Sequence, residues 1–206
     1  MSVIDYPVCL RLAGKPVLVV GAGGVALGRV RGLLEAGAQV RVVAPRVCAE
    51  LTAAASRGEL ALHQRRWAPE DLDGAQLVVS AVDDAEVSAQ IAAVARARGV
   101  WCTTVDQPAL CDFTMPSVGR RGLITVAVST SGKAPALAAS LRRRFEAQIH
   151  AEDLAIVAGV SALRAVLPAG PRRMRLLRRF VSVAVRVAGR VRAISARDSQ
   201  LAEAGR

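Results

Sequence analysis

Near its amino terminus the chain passes from a short apolar run through a glycine-rich turn into a helical pattern. The stretch PVLVVGAGGVALGRV has the form G-x-G-x-x-A, with Gly21, Gly23 and Ala26 at the defining positions. The first glycine permits a tight bend, the second lets the backbone approach an anion, and the small third residue allows close packing of helix on strand. The motif predicts a dinucleotide site lined by Gly21, Gly23, Gly24 and Val25.

The order of apolar run, turn and helix repeats through the first half of the chain. Five segments have the pattern of strands: PVLVVGAG, QVRVVAP, ELALHQR, AQLVVSAV and VWCTTV. Helical stretches lie between them: GVALGRVRGLLEAGA, a short helix near 47–57, and DAEVSAQIAAVARARG. Strands that alternate with helices form parallel sheets with right-handed crossovers. The sequence therefore predicts an α/β fold, a Rossmann-type doubly wound parallel sheet.

The alternation ends after about Pro108. The stretch DFTMPSVGRRGLITVAVST predicts a hairpin that turns at 119–122, and the remainder predicts helices near 134–149, 151–167 and 172–195. We expect a dinucleotide-binding domain at 1–112, a small α+β segment at 113–149 and a basic helical region at 150–206.

The chain is strongly basic, with 28 Lys and Arg against 17 Asp and Glu and a net charge of +11. From Ala151 onward 11 basic residues stand against 4 acidic ones, so +7 of the charge lies in the tail. This charge favours an anionic partner, and nucleic acid, an anionic membrane surface and a polyanionic small molecule all stay open. Three Phe, two Trp and one Tyr argue against an aromatic platform for single strands.

Composition also speaks against other classes of protein. No uncharged apolar run reaches about 18 residues, and the opening MSVIDYPVCLRLAGK lacks the regions of a secretory signal, so we expect a cytoplasmic protein. The cysteines, Cys9, Cys48, Cys102 and Cys111, are scattered without a C-x-x-C motif, which predicts reduced thiols. With only two histidines in the sequence, we expect no metal site.

The choice between NAD and NADP depends on the end of the second strand. An acidic residue about 20 positions after the glycine turn normally binds the ribose hydroxyls, and the chain lacks one there. The strand ends instead in Val43-Ala44-Pro45-Arg46. Two interpretations stand: Arg46 contacts the 2′-phosphate of NADP, or it is an ordinary exposed residue at a helix start.

A second loop, VAVSTSGKAP at 126–135, contains the Gly-Lys pair of a phosphate loop. The NTPase motif is G-x-x-x-x-G-K-[ST]. Here Ala127 stands five residues before Gly132, and Ala134 follows Lys133. A nucleoside triphosphate is therefore excluded, and another anion must be sought.

Several motifs in register resemble the siroheme synthase N-terminal family, precorrin-2 dehydrogenases with or without sirohydrochlorin ferrochelatase activity. They are the glycine turn, Asp106-x-Pro108, Phe113-x-x-Pro116, and a strand that ends in Ser129-Thr130-x-Gly132-x-x-Pro135. The likeness covers residues 6 to about 148. At three positions the chain departs from the usual family residue, with Thr103 for Asn, Ser131 for Gly and Ala134 for Ser.

The resemblance implies NAD-dependent oxidation of precorrin-2, with NADP still open and with Fe²⁺ as a further substrate where chelation occurs. It implies a homodimer built by the segment after residue 113. The methyltransferase domain fused to some members of the family is absent from this sequence, so we expect no methylation of uroporphyrinogen. Pro45, Arg46 and Thr103 then join the cofactor site. A carboxylate of the tetrapyrrole is then held by Thr130, Ser131 and Lys133 together with the first amides of the following helix. The alternative is that Thr130 or Ser131 only caps that helix.

Asp106 is the candidate catalytic residue. It follows the carboxyl end of a parallel strand, where open α/β sheets bind ligands, and its carboxylate can accept the proton lost as a hydride leaves. The alternative is an Asx turn before Pro108. The pair Asp83-Asp84 is a rival, which we expect to cap the next helix.

Other interpretations remain for the whole chain and for its tail. The chain could be a dinucleotide-sensing or scaffold protein without the chemistry, or, on charge alone, a nucleic-acid-binding module. We expect neither nucleic acid nor a membrane as its partner. The last helix has a basic face opposite an apolar one. The basic face carries Arg175, Arg179, Arg186 and Arg190, and the apolar face carries Leu177, Ala184 and Val191. Two interpretations stand: the basic face is only solvated, or it steers a polycarboxylate toward the site.

Overall fold

The first part of the chain forms a five-stranded parallel sheet. The structure, a computed structural model, describes residues 5–204, with side chains described as far as Gly189. The strands are β1 (Pro16–Val20), β2 (Gln39–Val43), β3 (Ala61–His63), β4 (Leu77–Ser80) and β5 (Trp101–Thr104). Their order, β3-β2-β1-β4-β5, puts β1 between β2 and β4. This order confirms the predicted doubly wound fold.

Helices cover both faces of this sheet. On one face, α1 (Gly24–Glu35) and α2 (Ala49–Ser56) share a buried core with Val17 and Val19 of β1. On the other face, α3 (Ala85–Ala97) shares a second buried core with Leu18 and Val20 of β1. Alternate side chains of β1 thus enter opposite cores. The stretch PVLVV is apolar throughout because both of its faces are buried. Two short 3₁₀ helices, Pro69–Leu72 and Pro108–Leu110, were not predicted.

The predicted hairpin forms, but its turn is displaced. β6 (Ser117–Arg121) and β7 (Ile124–Val128) are antiparallel, and Arg121 pairs with Ile124, so the turn is Gly122-Leu123 rather than 119–122. Gly119 instead pairs with Val126 inside the ladder. A Cβ on Gly119 would lie 2.6 Å from a carboxylate oxygen of Glu146 and 2.7 Å from Arg142 Cδ. Gly119 therefore serves close packing against a helix, not a turn.

Three further helices follow in the described part of the chain: α4 (Pro135–Ala147), α5 (Ala151–Val166) and α6 (Pro171–Ala204). The last one continues to Ala204, past the predicted end at 195. On α6 the face toward α5 buries Leu177 and half-buries Ala184, while Arg175, Arg179 and Arg186 are exposed, as the stripe predicts. The side chains of Arg190 and Val191 lie outside the described residues. Within the described part of the chain, no helix is long and apolar enough to cross a membrane.

The chain divides into two compact units between Met115 and Pro116. The first unit holds the parallel sheet and its buried cores. The second holds the hairpin and α4 to α6, the parts predicted separately as 113–149 and 150–206. Its described buried apolar residues are few: Ala138, Ile149, Leu177 and Ala188. Several of its large apolar side chains are exposed, among them Leu123, Leu137 and Phe145.

Candidate functional site

The turn after β1 requires glycine at its first position. Gly21 has a φ of 105°, and a Cβ there would stand 2.2 Å from the carbonyl oxygen of Ala81, which follows β4. The Gly21 amide donates to the carbonyl of Val43 at 3.0 Å, and the Ala81 amide donates to that of Val20 at 2.8 Å. The ends of β2, β1 and β4 are therefore drawn tightly together around Gly21.

Gly23 is a different case from Gly21. It is the N-cap residue of α1, its φ of −85° suits any residue, and nothing lies within 4 Å of a Cβ built on it. Gly23, Gly24 and Val25 are exposed, and no side chain of the described residues caps the helix. The first amides of a helix have no acceptor within it, so this end offers donors and a positive dipole to an anion. The open space in front of Gly23 fits the pyrophosphate of a dinucleotide.

The loop after β2 lies beside this turn, because the Cys48 amide donates to the carbonyl of Ala22 at 3.1 Å. It carries the predicted cofactor residues Pro45 and Arg46, both of which are exposed. Among the described residues Arg46 has no ion-pair partner. Its guanidinium is free to meet a phosphate.

Asp106 lies at the same edge of the sheet. The Val105 amide donates to the carbonyl of Ser80 at 2.9 Å, which joins the end of β5 to that of β4. Asp106 then adopts a φ of 58°, the left-handed conformation that is uncommon for a non-glycine residue. Its carboxylate is exposed and accepts no hydrogen bond from the described residues. Asp106 and Ser131 are the described non-glycine residues with positive φ.

The two alternatives to a catalytic Asp106 have different outcomes. An Asx turn needs the amide two residues on, and here that residue is Pro108, which has no N–H. The Asx-turn interpretation is therefore wrong. The rival carboxylate of Asp84 accepts from the amides of Glu86 at 2.9 Å and Val87 at 3.1 Å, which confirms its predicted role as the cap of α3.

Cys111 was not predicted as a site residue, yet its Sγ atom lies inside the loop that carries Asp106. Sγ accepts from the Thr104 amide at 3.2 Å and lies 3.3 Å from the Thr104 carbonyl and 3.5 Å from the Gln107 carbonyl. Thr103, 8% exposed, turns its hydroxyl toward the same sulfur at 3.6 Å. No periodic pattern marks such a residue in a sequence.

Neighbouring groups fix the base of this loop. The Asp112 amide donates to the Cys102 carbonyl at 2.8 Å, and the Cys102 amide donates to the Asp112 carboxylate at 2.9 Å. Burial raises the pKa of the Cys102 thiol, so that thiol is a neutral core group. The cysteines form no disulfide among the described residues, and these residues hold no cluster of His, Cys, Asp and Glu suited to a metal.

The predicted substrate residues lie in the second unit, in the loop between β7 and α4. The Thr130 hydroxyl accepts from the Ala134 amide at 3.1 Å, and the Lys133 amide donates to the Thr130 carbonyl at 3.0 Å. Thr130 thus closes the turn before α4 but does not cap that helix. Ala134 is the N-cap residue of α4, and no described side chain makes a capping hydrogen bond there, so the capping alternative is wrong for Thr130 and Ser131. Ser131, with a φ of 50°, and Lys133 are exposed, and Pro135 begins the helix. The hydroxyl of Ser131 and the ammonium of Lys133 face solvent.

A separate concavity of about 490 Å³ lies at the opposite edge of the sheet. Pro16 and Gln39, the first residues of β1 and β2, line it together with Arg41 and Asp73. None of the predicted site residues borders it. Open α/β sheets bind their ligands at the carboxyl ends of the strands, so we assign the site to the edge with Gly23 and Asp106.

Comparisons with known proteins bear directly on this geometry. A family described as NAD(P)-binding matches residues 8–117, more than half of the chain, and a family described as the central part of a sirohaem biosynthesis protein matches residues 121–148. The chain belongs to the siroheme synthase N-terminal family. The glycine turn and Asp106 lie in the first of these matches, and the loop with Lys133 lies in the second.

Individual members of the family show how far the likeness extends. The chain is 43% identical over 145 residues to the siroheme synthase of Ectopseudomonas mendocina, which is 70% of this chain and 31% of that protein. It is 40% identical over 178 residues to siroheme synthase 3 of Aeromonas hydrophila, 86% of this chain and 38% of that protein. The chain thus spans about a third of the length of these relatives.

Among solved structures, the chain is similar to that of SirC, a precorrin-2 dehydrogenase. The TM-score is 0.71 and the identity 25%, over 88% of this chain and all of that one. Membership of the siroheme synthase N-terminal family and the Rossmann-like fold are thereby established together. The cofactor contacts of Pro45, Arg46 and Thr103 and the substrate contacts of Thr130, Ser131 and Lys133 stay predictions.

Proposed function

We propose that this chain oxidises precorrin-2 to sirohydrochlorin with a nicotinamide dinucleotide. One observation carries the proposal: an open glycine turn, suited to a pyrophosphate, shares the carboxyl edge of one sheet with Asp106. The backbone of Asp106 has a φ of 58°, and its carboxylate accepts no hydrogen bond from the described residues. Non-glycine residues held at positive φ concentrate at functional sites. The likeness to SirC over most of both chains supports the same activity.

Separate residues of the chain bind the cofactor and accept the proton. The exposed amides at the start of α1 hold the pyrophosphate, and Gly23 leaves room for it. The nicotinamide, when bound, supplies the hydride acceptor. Asp106 accepts the proton that the macrocycle loses in the same oxidation, so that hydride and proton together account for the two hydrogens removed. An exposed carboxylate without a competing hydrogen bond is available for this transfer.

We propose that the loop with Ser131 and Lys133 binds a carboxylate of the substrate. The macrocycle carries eight carboxylates in the family to which the chain belongs, so cationic and N–H donors suit it. Lys133 supplies a charge, and the first-turn amides of α4 supply free donors. Thr130, whose oxygen already accepts the Ala134 amide, holds the turn and can still donate its hydroxyl hydrogen.

The dinucleotide preference follows from the end of β2. We propose NAD or NADP as the hydride acceptor, with Arg46 as the residue that decides between them. Arg46 is exposed beside the glycine turn, and no carboxylate ends β2 to hold the ribose hydroxyls. An unpaired guanidinium favours a 2′-phosphate.

We also propose that the second unit joins two copies of the chain. Its described core is small, and apolar side chains on the hairpin and α4 are exposed: Val118, Leu123, Leu137 and Phe145. A surface of this kind is typical of an interface between subunits. Light scattering should give twice the chain mass of 21.6 kDa, and Phe145→Glu should reduce it toward the monomer. A monomeric wild type at micromolar concentration would refute the dimer.

A second activity, insertion of Fe²⁺ into sirohydrochlorin, would use the same carboxylate. Metal insertion requires a base for the pyrrole N–H protons, and Asp106 can serve as that base. If the wild type inserts Fe²⁺ or Co²⁺ into supplied sirohydrochlorin, Asp106→Asn should abolish that activity together with dehydrogenation. Retained insertion by the variant would separate the two chemistries.

The experiment for the main proposal is anaerobic incubation with precorrin-2 and either NAD or NADP. We expect sirohydrochlorin absorbance to appear together with reduced nicotinamide in equal amounts. A protein that binds the dinucleotide without turnover would be a sensor or scaffold. A protein that binds neither dinucleotide, and binds nucleic acid instead, would support the charge-based alternative.

A further inference from the structure

The Cys111 thiol, five residues after Asp106, contacts the backbone on both sides of Asp106. We infer that Cys111 is a positioning residue for Asp106: its thiol joins the two arms of the turn and keeps the carboxylate aimed out of the sheet edge. The inference rests on the proposed function for its effect on turnover, but its structural part stands on the contacts of the sulfur alone.

The thiol reaches both sides of Asp106. On the side before it, Sγ lies 3.2 Å from the Thr104 amide and 3.3 Å from the Thr104 carbonyl. On the side after it, Sγ lies 3.5 Å from the Gln107 carbonyl. One sulfur thus accepts from an N–H and shares its single proton between two carbonyls, and these contacts span the residue with the φ of 58°.

The loop needs such a link because its other anchors lie at its ends. The Val105 amide is bonded to Ser80, and the Asp112 amide is bonded to Cys102. Between these anchors, the 3₁₀ turn is closed by two hydrogen bonds: the Leu110 amide donates to the Gln107 carbonyl, and the Cys111 amide donates to the Pro108 carbonyl. Both bonds lie after Asp106 in the chain. A non-glycine residue stays in the left-handed region only where its surroundings hold it. Among the described side chains, the one that bonds to both arms is Cys111.

The chemistry of sulfur fits these distances. Contacts of 3.2 to 3.6 Å are normal for a thiol, whereas a hydroxyl prefers about 2.7 to 3.0 Å. Cys111→Ser therefore keeps the donor and the acceptor and draws the turn slightly inward. Cys111→Ala removes both, and Cys111→Val restores the volume but not the polar contacts.

The test compares these three variants with Val30→Ala, a core change in α1 that lies outside the loop. Three quantities are measured for each protein: kcat with precorrin-2, the Kd for the dinucleotide, and amide hydrogen exchange of residues 105–112. The Val30→Ala control lowers stability without touching the Asp106 turn, so it separates a positioning effect from a loss of folded protein.

We expect Cys111→Ala and Cys111→Val to lower kcat about tenfold or more and to speed exchange, with the dinucleotide Kd unchanged within about twofold. Cys111→Ser should recover most of both losses, and Val30→Ala should keep kcat. The inference would be overturned if Cys111→Ala kept the wild-type kcat and the wild-type rate of amide exchange. It would also be overturned if Cys111→Val restored kcat and exchange as fully as Cys111→Ser. If the wild type itself is inactive, the dehydrogenase proposal fails, and the exchange data alone decide whether Cys111 orders the turn.

Discussion

The carbonyl oxygen of Ala81 lies 2.2 Å from the position that a Cβ on Gly21 would occupy. The end of β4 thus closes directly on the turn after β1, while the space before Gly23 is open. Gly21 and Gly23 belong to one motif but meet different structural requirements. Gly21 serves the packing of the sheet edge, whereas we propose that Gly23 leaves room for a ligand that approaches from outside.

This difference predicts opposite results for the same substitution at the two glycines. Gly21→Ala should destabilise the fold by about 2 kcal/mol or more, a fall in Tm of about 5 °C or more, because backbone atoms must move. Gly23→Ala should leave Tm nearly unchanged and raise the dinucleotide Kd at least about tenfold. Calorimetry and fluorescence titration measure these two effects. Equal dinucleotide affinity for Gly23→Ala and wild type would show that the pyrophosphate does not bind at this turn.

The exposed guanidinium of Arg46 predicts a change in cofactor preference. Arg46→Glu should lower kcat/KM with NADP about tenfold or more, because a carboxylate repels the 2′-phosphate. The same change should leave kcat/KM with NAD equal or higher, since a carboxylate can accept bonds from the ribose hydroxyls. The ratio of the two values is the measurement. An unchanged ratio would mean that Arg46 is only a solvated residue at a loop.

Much of the nucleotide-binding unit could be predicted from sequence. Buried parallel strands are apolar on both faces, and a glycine turn between strand and helix is local, so both leave readable patterns. The hairpin turn was misplaced because Gly119 looks like a turn residue, while its real constraint is Glu146 of a later helix. The role of Cys111 depends on contacts across an irregular loop, for which no pattern exists. The Asx turn, by contrast, could have been excluded in advance, because Pro108 has no N–H.

Asp71 predicts how stability depends on pH. Hydrogen bonds from the Arg65 guanidinium hold the pKa of Asp71 below its ordinary value, against its burial and with help from the Ala68 amide. A lowered folded pKa stabilises the protein above the unfolded pKa, and that stability is lost as pH falls through the folded pKa. Urea unfolding should therefore show declining stability below about pH 4, with a smaller decline in Asp71→Asn.

At pH 7 the Asp71→Asn variant should be less stable by about 1–2 kcal/mol, because Asp71 is 5% exposed although Arg65 is 48% exposed and screened by solvent. The control is Glu59→Gln, which breaks the exposed pair with Arg57 and should leave stability unchanged. Parallel pH profiles for wild type and Asp71→Asn would disprove this account of the Arg65 contact.

The arginine face of α6 predicts a salt-dependent effect on substrate capture. Arg175 and Arg179 are exposed, and changing both to Gln should raise KM for the polycarboxylate several-fold at low ionic strength and less at high salt. The matched control removes two exposed charges from the first unit, Arg11→Gln with Arg31→Gln. Equal KM for the two double variants at low salt would show that net charge, rather than the α6 face, governs capture.

The central claim is that Asp106 is the proton acceptor of an oxidation, and one substitution tests it most directly. Asp106→Asn keeps the size and the tolerance for positive φ but loses the basic carboxylate. Anaerobic turnover of precorrin-2 by the folded variant should fall about 10²-fold or more, while the dinucleotide Kd stays at the wild-type value. Normal turnover by a folded Asp106→Asn protein would contradict the account.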